Sequence, residues 1–434
     1  MSEERRITLD VPVLARVEGE GALDVEIEEG RITRLGLRIF EPPRLFEKLL
    51  EGRDGGEVPD MVARICGICP VAYQMSAVQA LESIMAVDPG PWVRAMRRVF
   101  YCGEWIESHC LHIHLLAAPD FLGFDGVSAM AKAYPDEVRR GLRLQALGNE
   151  LIALFGARSV HPVGARVGGF HHAPAPARVA ELCARLRAAL PEAAALVRWT
   201  AGLPMPEDRE DYTFVALRDP HEYPMMGRRI VSSDGLDIDC AEFDAHFREH
   251  QVPHSTALHC LLHGEPYLVG PLARLNLNLD RLPAGVRTLV GGTGLSWPSS
   301  NIAHSIVARA VEVHFAIGEA LRLLEQYRLP TAPYAEALPR AGTGFGCSEA
   351  PRGILWHRYE TDDEGCIVSA RIVPPTSQNQ ARIEADLRRR LMAVGLAQPA
   401  ERLRFECERL IRHYDPCISC ASHFLDLRLH RRGP

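Results

Sequence analysis

The sequence predicts an α+β protein, mainly helical, with a small antiparallel sheet near its N-terminus. Three observations carry that expectation. Residues 7–40 (ITLDVPVLARV, then GALDVEIEEGRITRLGLRIF) alternate apolar and polar side chains around a Glu29-Gly30 turn, as half-buried strands do. From Trp92 onward, WVRAMRRVFYCGEWIESHCLHIHLLA, EVRRGLRLQALGNELIALFGAR and ARVAELCARLRAALPEAAALVRW repeat apolar residues at helical spacing. No internal repeat or low-complexity linker divides the chain, so residues 1–423 are expected to form one domain with a mainly helical core over 92–412.

The remaining segments fill in that outline. A further helix is expected over residues 302–327, and another over 381–412. WHRYETDDEGCIVSARIVPP, from Trp356, reads as a hairpin turning at Asp363 to Gly365. Residues 203–298 are richer in Gly, Pro and short mixed runs, and are expected to be loops and minor strands around the helices.

Composition excludes several classes of function. With 434 residues, 47% hydrophobic and 24% charged, the chain can bury a large core and is not a disordered protein. A net charge of -7 without long single-sign blocks offers no footprint for nucleic acid or anionic lipid. Glu, Arg and Asp interrupt every short apolar run at the N-terminus, so no secretory signal is read there. The stretches 65–81 and 288–308 lack Asp, Glu, Lys and Arg, but Gly and Pro break both, and neither suits a membrane span. A cytoplasmic protein with reduced thiols is expected.

Twelve cysteines are too dilute for a disulfide scaffold, so their spacing matters more than their number. Two CxxC pairs stand out, Cys66/Cys69 and Cys417/Cys420. A CxxC brings two sulfurs to one side of a turn or helix start, close enough to chelate one metal. On spacing alone, structural zinc or an iron-sulfur cluster stands ahead of a catalytic metal. Yet 347 residues separate the pairs, whereas structural zinc commonly staples ligands within a few tens of residues. Ligands drawn from both ends of a large domain suit a buried centre built for chemistry, and all-thiolate coordination selects soft or borderline metals, zinc, iron and nickel among them.

In their contexts, RICGICP (64–70) and DPCISCASH (415–423), the pairs resemble the large subunit of nickel-iron hydrogenases. The resemblance continues in order through RVEG (16–19), ESHCLH (107–112), AAPDFLG (117–123), EAPRG (349–353) and PTSQN (375–379), and so covers nearly the whole chain. Tyr73 stands where many members have His, and Glu20 follows RVEG where many have His. These variants look closest to the NAD(P)-linked, sulfhydrogenase-like group.

The resemblance implies Ni held by Cys66, Cys69, Cys417 and Cys420, with Cys69 and Cys420 bridging to an Fe that carries CO and CN ligands. H2 is apolar and a very weak acid, so splitting it needs a Lewis-acidic metal pair and a nearby base. Cys417 would be the first proton acceptor and Glu18 its relay outward; by itself, Glu18 would read as a solvated strand-end carboxylate. Arg352 would stand over the open coordination position as an electrostatic helper, because a guanidinium rarely gives up its proton. Asp120 and Asp415 would fix Arg352 and the metal loop by charge-assisted hydrogen bonds. Pro375 and Thr376 would line the pocket for CN and CO, while Glu47 and His423 would bind a separate Mg ion.

His109, His112 and His114 make a poor zinc set, and the first two are expected in the pocket wall. The other cysteines (Cys102, Cys110, Cys183, Cys240, Cys260, Cys347, Cys366, Cys407) are expected to be small buried residues, with Cys347 near the site. The tail 424–434 would be removed by a maturation protease after nickel insertion. The chain has no compact cysteine set for clusters and no GxGxxG opening a βαβ unit. Electrons are therefore expected to leave through a small iron-sulfur subunit and flavin/NAD(P) diaphorase subunits, and nickel-insertion proteins would act during assembly. A hydrogen sensor with the same centre is the alternative.

Overall fold

A computed structural model describes residues 7–206 and 209–422. The alternating N-terminal segment forms three antiparallel strands, β1 (Ile7–Val11), β2 (Gly21–Glu28) and β3 (Arg31–Ile39), in the order β1-β2-β3. Glu29 and Gly30 both take positive φ, 50° and 72°, as a two-residue hairpin turn matched to strand twist requires. The expected turn is therefore the observed one.

Seven long helices form the helical core: α1 (Pro70–Met85), α2 (Gly90–Leu111), α3 (Pro135–Gly156), α4 (Pro176–Ala201), α5 (Ser305–Leu324), α6 (Pro375–Val394) and α7 (Ala400–Tyr414). α2 packs along α3 and α5, and α5 along α4. Trp105, Phe100 and Tyr101 of α2 are fully buried in the largest core. A second core joins the apolar face of the N-terminal sheet, Leu23, Val25 and Leu37, to Ile383, Leu387 and Leu410 of α6 and α7.

A four-stranded antiparallel sheet completes the frame: β4 (Met226–Gly227), β5 (Gly342–Ala350), β6 (Gly353–Thr361) and β7 (Ile367–Val373), in the order β7-β6-β5-β4. The expected hairpin at Asp363 to Gly365 joins β6 to β7. The tighter β5-β6 connection leaves only Pro351 and Arg352 between its strands. β5 lies directly on the backbone of α1. A Cβ on Gly344 would come within 2.2 Å of the Ala80 carbonyl oxygen, and one on Gly346 within 1.9 Å of that of Ser76. Only glycine allows that approach.

Three expectations change. α1 precedes the first helix read from the sequence; it is buried on nearly every face, so it shows no amphipathic stripe. The helix expected over 381–412 is two helices, begun at Pro375 and interrupted where Gly395 takes φ 91° before Pro399. The helix from Trp92 widens into a π-helical turn at His112–Ala117 ahead of a short helix at Ala118–Phe121, a feature often found at functional sites. As expected, residues 203–298 hold short strands, but they also form short α-helices at Phe243–His246, Pro271–Asn278 and Ala284–Gly291. No helix among the described residues is long and apolar enough to cross a membrane.

The close seat of β5 on α1 is testable. Gly346→Ala is expected to lower stability by about 1–3 kcal/mol, as overpacking does. Gly285→Ala, on an exposed helix with nothing within 4 Å, should be neutral or slightly stabilising. Thermal denaturation compares them, and equal midpoints would contradict the packing described.

Candidate metal centre

The first cysteine pair is placed by the start of α1. Cys69 is the residue before that helix and Pro70 its first residue, where a missing N–H costs nothing. The Cys66 sulfur accepts from the amides of Ile68 and Cys69, both at 3.3 Å. Two other amides of that first turn, which have no partner within the helix, donate to Glu104 of α2: Val71 N at 2.6 Å and Ala72 N at 3.1 Å.

The second pair follows α7. Asp415 adopts the left-handed conformation (φ 55°, ψ 56°), ending that helix, and Cys417 precedes the short helix Ile418–Ala421. The Cys417 amide donates to the Thr376 hydroxyl at 3.0 Å, and the Ile418 amide to the Glu18 carbonyl at 3.0 Å. The two chain ends are thus held side by side. Arg44 bridges the two cysteine loops, donating to the Ile65 carbonyl at 2.6 Å and to the Ser419 carbonyl.

Four sulfurs from opposite ends of the chain meet at this point. Cys66 Sγ lies 3.4 Å from Cys417 Sγ, Cys69 Sγ 3.3 Å from Cys420 Sγ, and Cys417 Sγ 2.9 Å from Cys420 Sγ. All four are buried and lie within 4.8 Å of one another. Burial and then the neighbouring thiols push Cys417 well above the ordinary thiol range, while hydrogen bonds from Cys417 and the other thiols hold Cys66 well below it. So crowded a set cannot ionise fully without a cation. The donor set fits a soft or borderline metal.

Arg352 and Glu18 face this cluster. Arg352, presented by the β5-β6 turn, donates from Nε to the Asp415 carbonyl (2.7 Å), from Nη2 to its carboxylate (3.0 Å) and from Nη1 to the Ser108 hydroxyl (3.3 Å). Burial opposes its charge, but Asp415 and the nearby thiolates outweigh that and hold it well above its usual range. Burial likewise works against the Asp415 carboxylate, and Arg352 overrides it, so that Asp415 titrates low. Glu18, half-buried, sits with Oε2 3.0 Å from Cys417 Sγ and accepts from the amide and hydroxyl of Ser419.

Other expected residues are placed differently. Asp120 does not touch Arg352; it accepts from Arg412 at 2.6 and 3.1 Å and pairs with Arg16. It anchors the end of α7, which leads into the second cysteine loop, because the helix at Ala118–Phe121 faces α7 and not the β5-β6 turn. Pro375 and Thr376, both buried, begin α6 beside Cys417. Glu47 accepts from the Ile372 amide at 2.6 Å, whereas His423 lies outside the described residues, as does the tail. His109 binds Glu312 (2.8 Å) and His112 the Arg412 carbonyl (2.8 Å). Cys347 packs away from the cluster, with Cys240, Cys260 and Trp356, because its strand turns it to the other face of the sheet. Cys366 is only half-buried in the β6-β7 turn.

Several residues of the site escaped the sequence reading. Glu104, Glu107 and Arg274 are ionisable yet buried on helices, and only their positions on otherwise apolar faces hint at it. Arg274 holds the β5-β6 turn from behind. It makes paired bonds to Glu312 (2.8 Å each), one to Glu349 (2.8 Å) and one to the Ala350 carbonyl (2.7 Å). Such a fork suits arginine and not lysine. Burial works against the Glu312 carboxylate, yet Arg274 brings it down to about 2.

Burial pushes the Glu107 carboxyl up to about 8 against the pull of Arg352. A carboxyl raised in the folded state contributes stability below its ordinary value and loses it as pH rises through the folded one. The wild-type melting temperature is therefore expected to fall, relative to that of Glu107→Gln, as pH rises from about 4.5 to about 8 and to level off above that. Equal slopes for the two proteins, followed by circular dichroism, would count against this assignment.

Comparison with known proteins agrees with the geometry. A family model described as nickel-dependent hydrogenase matches residues 44–139 and 261–423, the spans holding both cysteine pairs. Sulfhydrogenase 1 subunit alpha of Pyrococcus furiosus is 32% identical over 426 residues, covering 97% of this chain and 98% of the relative. Sulfhydrogenase 2 subunit alpha of the same organism is 30% identical, covering 96% and 100%. Among solved structures, an NAD+-reducing [NiFe]-hydrogenase in the H2-reduced state superposes with a TM-score of 0.86 at 27% identity, covering 96% of this chain and 99% of that one. With a family model over both ends of the site and relatives alike along nearly the whole length, this chain belongs to the nickel-dependent hydrogenases, as a large subunit and an enzyme acting on H2.

Proposed function

We propose that this chain is the catalytic subunit of a cytoplasmic complex that splits H2 reversibly and passes the electrons through a small iron-sulfur subunit to a soluble acceptor such as NAD(P). One observation carries the reading: four buried sulfurs within 4.8 Å of one another, flanked by one carboxylate, Glu18, and one guanidinium, Arg352. The similarity to an NAD+-reducing hydrogenase supports the choice of acceptor. Flavin/NAD(P) diaphorase subunits would complete the electron path.

In this reading Cys66, Cys69, Cys417 and Cys420 would hold Ni, with Cys69 and Cys420 also serving as ligands to an Fe that carries CO and CN. When bound, that metal pair supplies the Lewis acidity that an apolar, weakly acidic substrate requires. The protein's own groups do the rest. Cys417 takes the proton at sulfur, and the 3.0 Å contact to Glu18 gives it a path to a half-buried carboxylate and on toward solvent. Ser419 holds that carboxylate through its amide and hydroxyl. Arg352 keeps its charge and stabilises negative charge on the sulfurs, with Asp415 fixing its direction. Pro375 and Thr376 line the pocket for CN and CO. Glu47 and His423 hold Mg. Residues 1–423 act as one domain, and the tail 424–434 is cut away after nickel-insertion proteins have loaded the site.

Infrared spectroscopy of the purified complex is expected to show bands of Fe-bound CO and CN, and H2 to reduce both viologen and NAD(P)+. Absent bands from protein trimmed at His423 would overturn the metal assignment, and viologen reduction alone would overturn the acceptor. Glu18→Gln should retain its metals yet lose proton exchange from H2 by roughly a hundredfold or more, the usual scale for a positioned acid–base group. Arg352→Lys with metals retained should cut turnover strongly. Unchanged isotope exchange in the first, or near-normal turnover in the second, would remove that residue from the mechanism.

A further inference from the structure

A second cluster of metal-ligating side chains lies where the two-stranded sheet of Phe247–Gln251 and Leu258–Leu262 meets α6. His254 Nε2 stands 2.7 Å from Glu384 Oε1, and His259 Nε2 stands 4.0 Å from the same oxygen. The three ligand atoms all lie within 4.8 Å of one another. Atoms bound to one Zn2+ at about 2.0–2.2 Å stand roughly 3.3–3.6 Å apart in a tetrahedral site. The observed separations bracket that spacing, so shifts of under an ångström would close the set.

His259 is the group that calls for a ligand. It is 3% exposed, and its Nε2 has no hydrogen-bond partner among the described residues. A buried ring nitrogen left unsatisfied is destabilising, and a metal bond would offset that. Burial and then His250 and His254 favour its neutral form, the form that donates to metals. The His254 and Glu384 side chains are 22% and 18% exposed, leaving one side open for the ion and a water. His250 lies opposite His259 in the strand register, ring centroids 5.6 Å apart.

We propose that His254, His259 and Glu384 bind a divalent transition ion, zinc by its fit to two imidazoles, one carboxylate and a water, at a site separate from the four thiols. Such an ion ties the 247–262 hairpin to α6. Glu384 also accepts from the Leu37 amide of β3 at 2.8 Å, so three parts of the fold converge on one carboxylate. It stands eight residues after Thr376, about 12 Å along the helix that carries the contact to Cys417. The site is structural, and it rests on no assignment at the thiols.

The test uses the nickel-loaded complex, whose thiols are already occupied, dialysed against a chelator and titrated with ZnCl2 alone. Calorimetry and metal analysis are expected to show one zinc bound per chain beyond the nickel and iron, with a rise in melting temperature. Glu384→Gln keeps an acceptor for the Leu37 amide, so its fold should survive. It and His259→Ala should each weaken that binding at least about tenfold and abolish the thermal shift, with nickel content and viologen reduction unchanged. Failure of the wild-type complex to take up zinc, or equal uptake by all three proteins, would overturn the proposal.

Discussion

Gathering four ionisable sulfurs into one dry pocket is the constraint on which the rest of this structure depends. Two thiolates 3.4 Å apart repel by about 5 kcal/mol at an effective dielectric constant near 20. Nothing in the thiols themselves opposes that. The protein answers with a fixed cation beside them, Arg352, and with neutral dipoles on the backbone around them. The remaining charge calls for a metal, which is why the donor set and the family agree.

Each dipole and charge is positioned by a different part of the fold. Glu104 seats the helix that follows Cys69, Thr376 receives the amide of Cys417, and Glu18 clamps the chain on the far side of Cys417. Behind Arg352, Arg274 grips the β5-β6 turn through Glu312, Glu349 and backbone carbonyls. A buried ion network of this kind adds little net stability, but removing one member would leave the others charged and unpaired. Its effect is to give Arg352 one direction. Apart from Glu18, which meets Cys417 Sγ, precision at the sulfurs comes from residues that act on the backbone around them.

The places where expectation and structure part have physical causes. Asp120 lies in a motif with Pro and Phe that reads as a loop carboxylate, and a π-helical turn at His112–Ala117 carries it toward Arg412. α1 was hard to read because a helix buried all round shows no stripe, and β5 because three alternating glycines resemble a loop. Their role as a flat seat on α1 exists only once the helix is in place. Glu107 looks like any helical carboxylate in the sequence, since burial, not residue type, makes its carboxyl unusual.

By itself the sequence determined the class of fold, the N-terminal sheet with its turn, most of the long helices and the two cysteine pairs, while Glu18, Arg352 and Thr376 stood out only through the resemblance to a known family. Those are local matters: periodicity, turn chemistry and spacing within a few residues. Only the tertiary structure decided that the two cysteine loops face each other, that Asp415 and not Asp120 holds Arg352, and that His254 and His259 converge on Glu384. Contacts between residues 63 or more positions apart depend on how whole elements pack, and no local pattern in the chain encodes them.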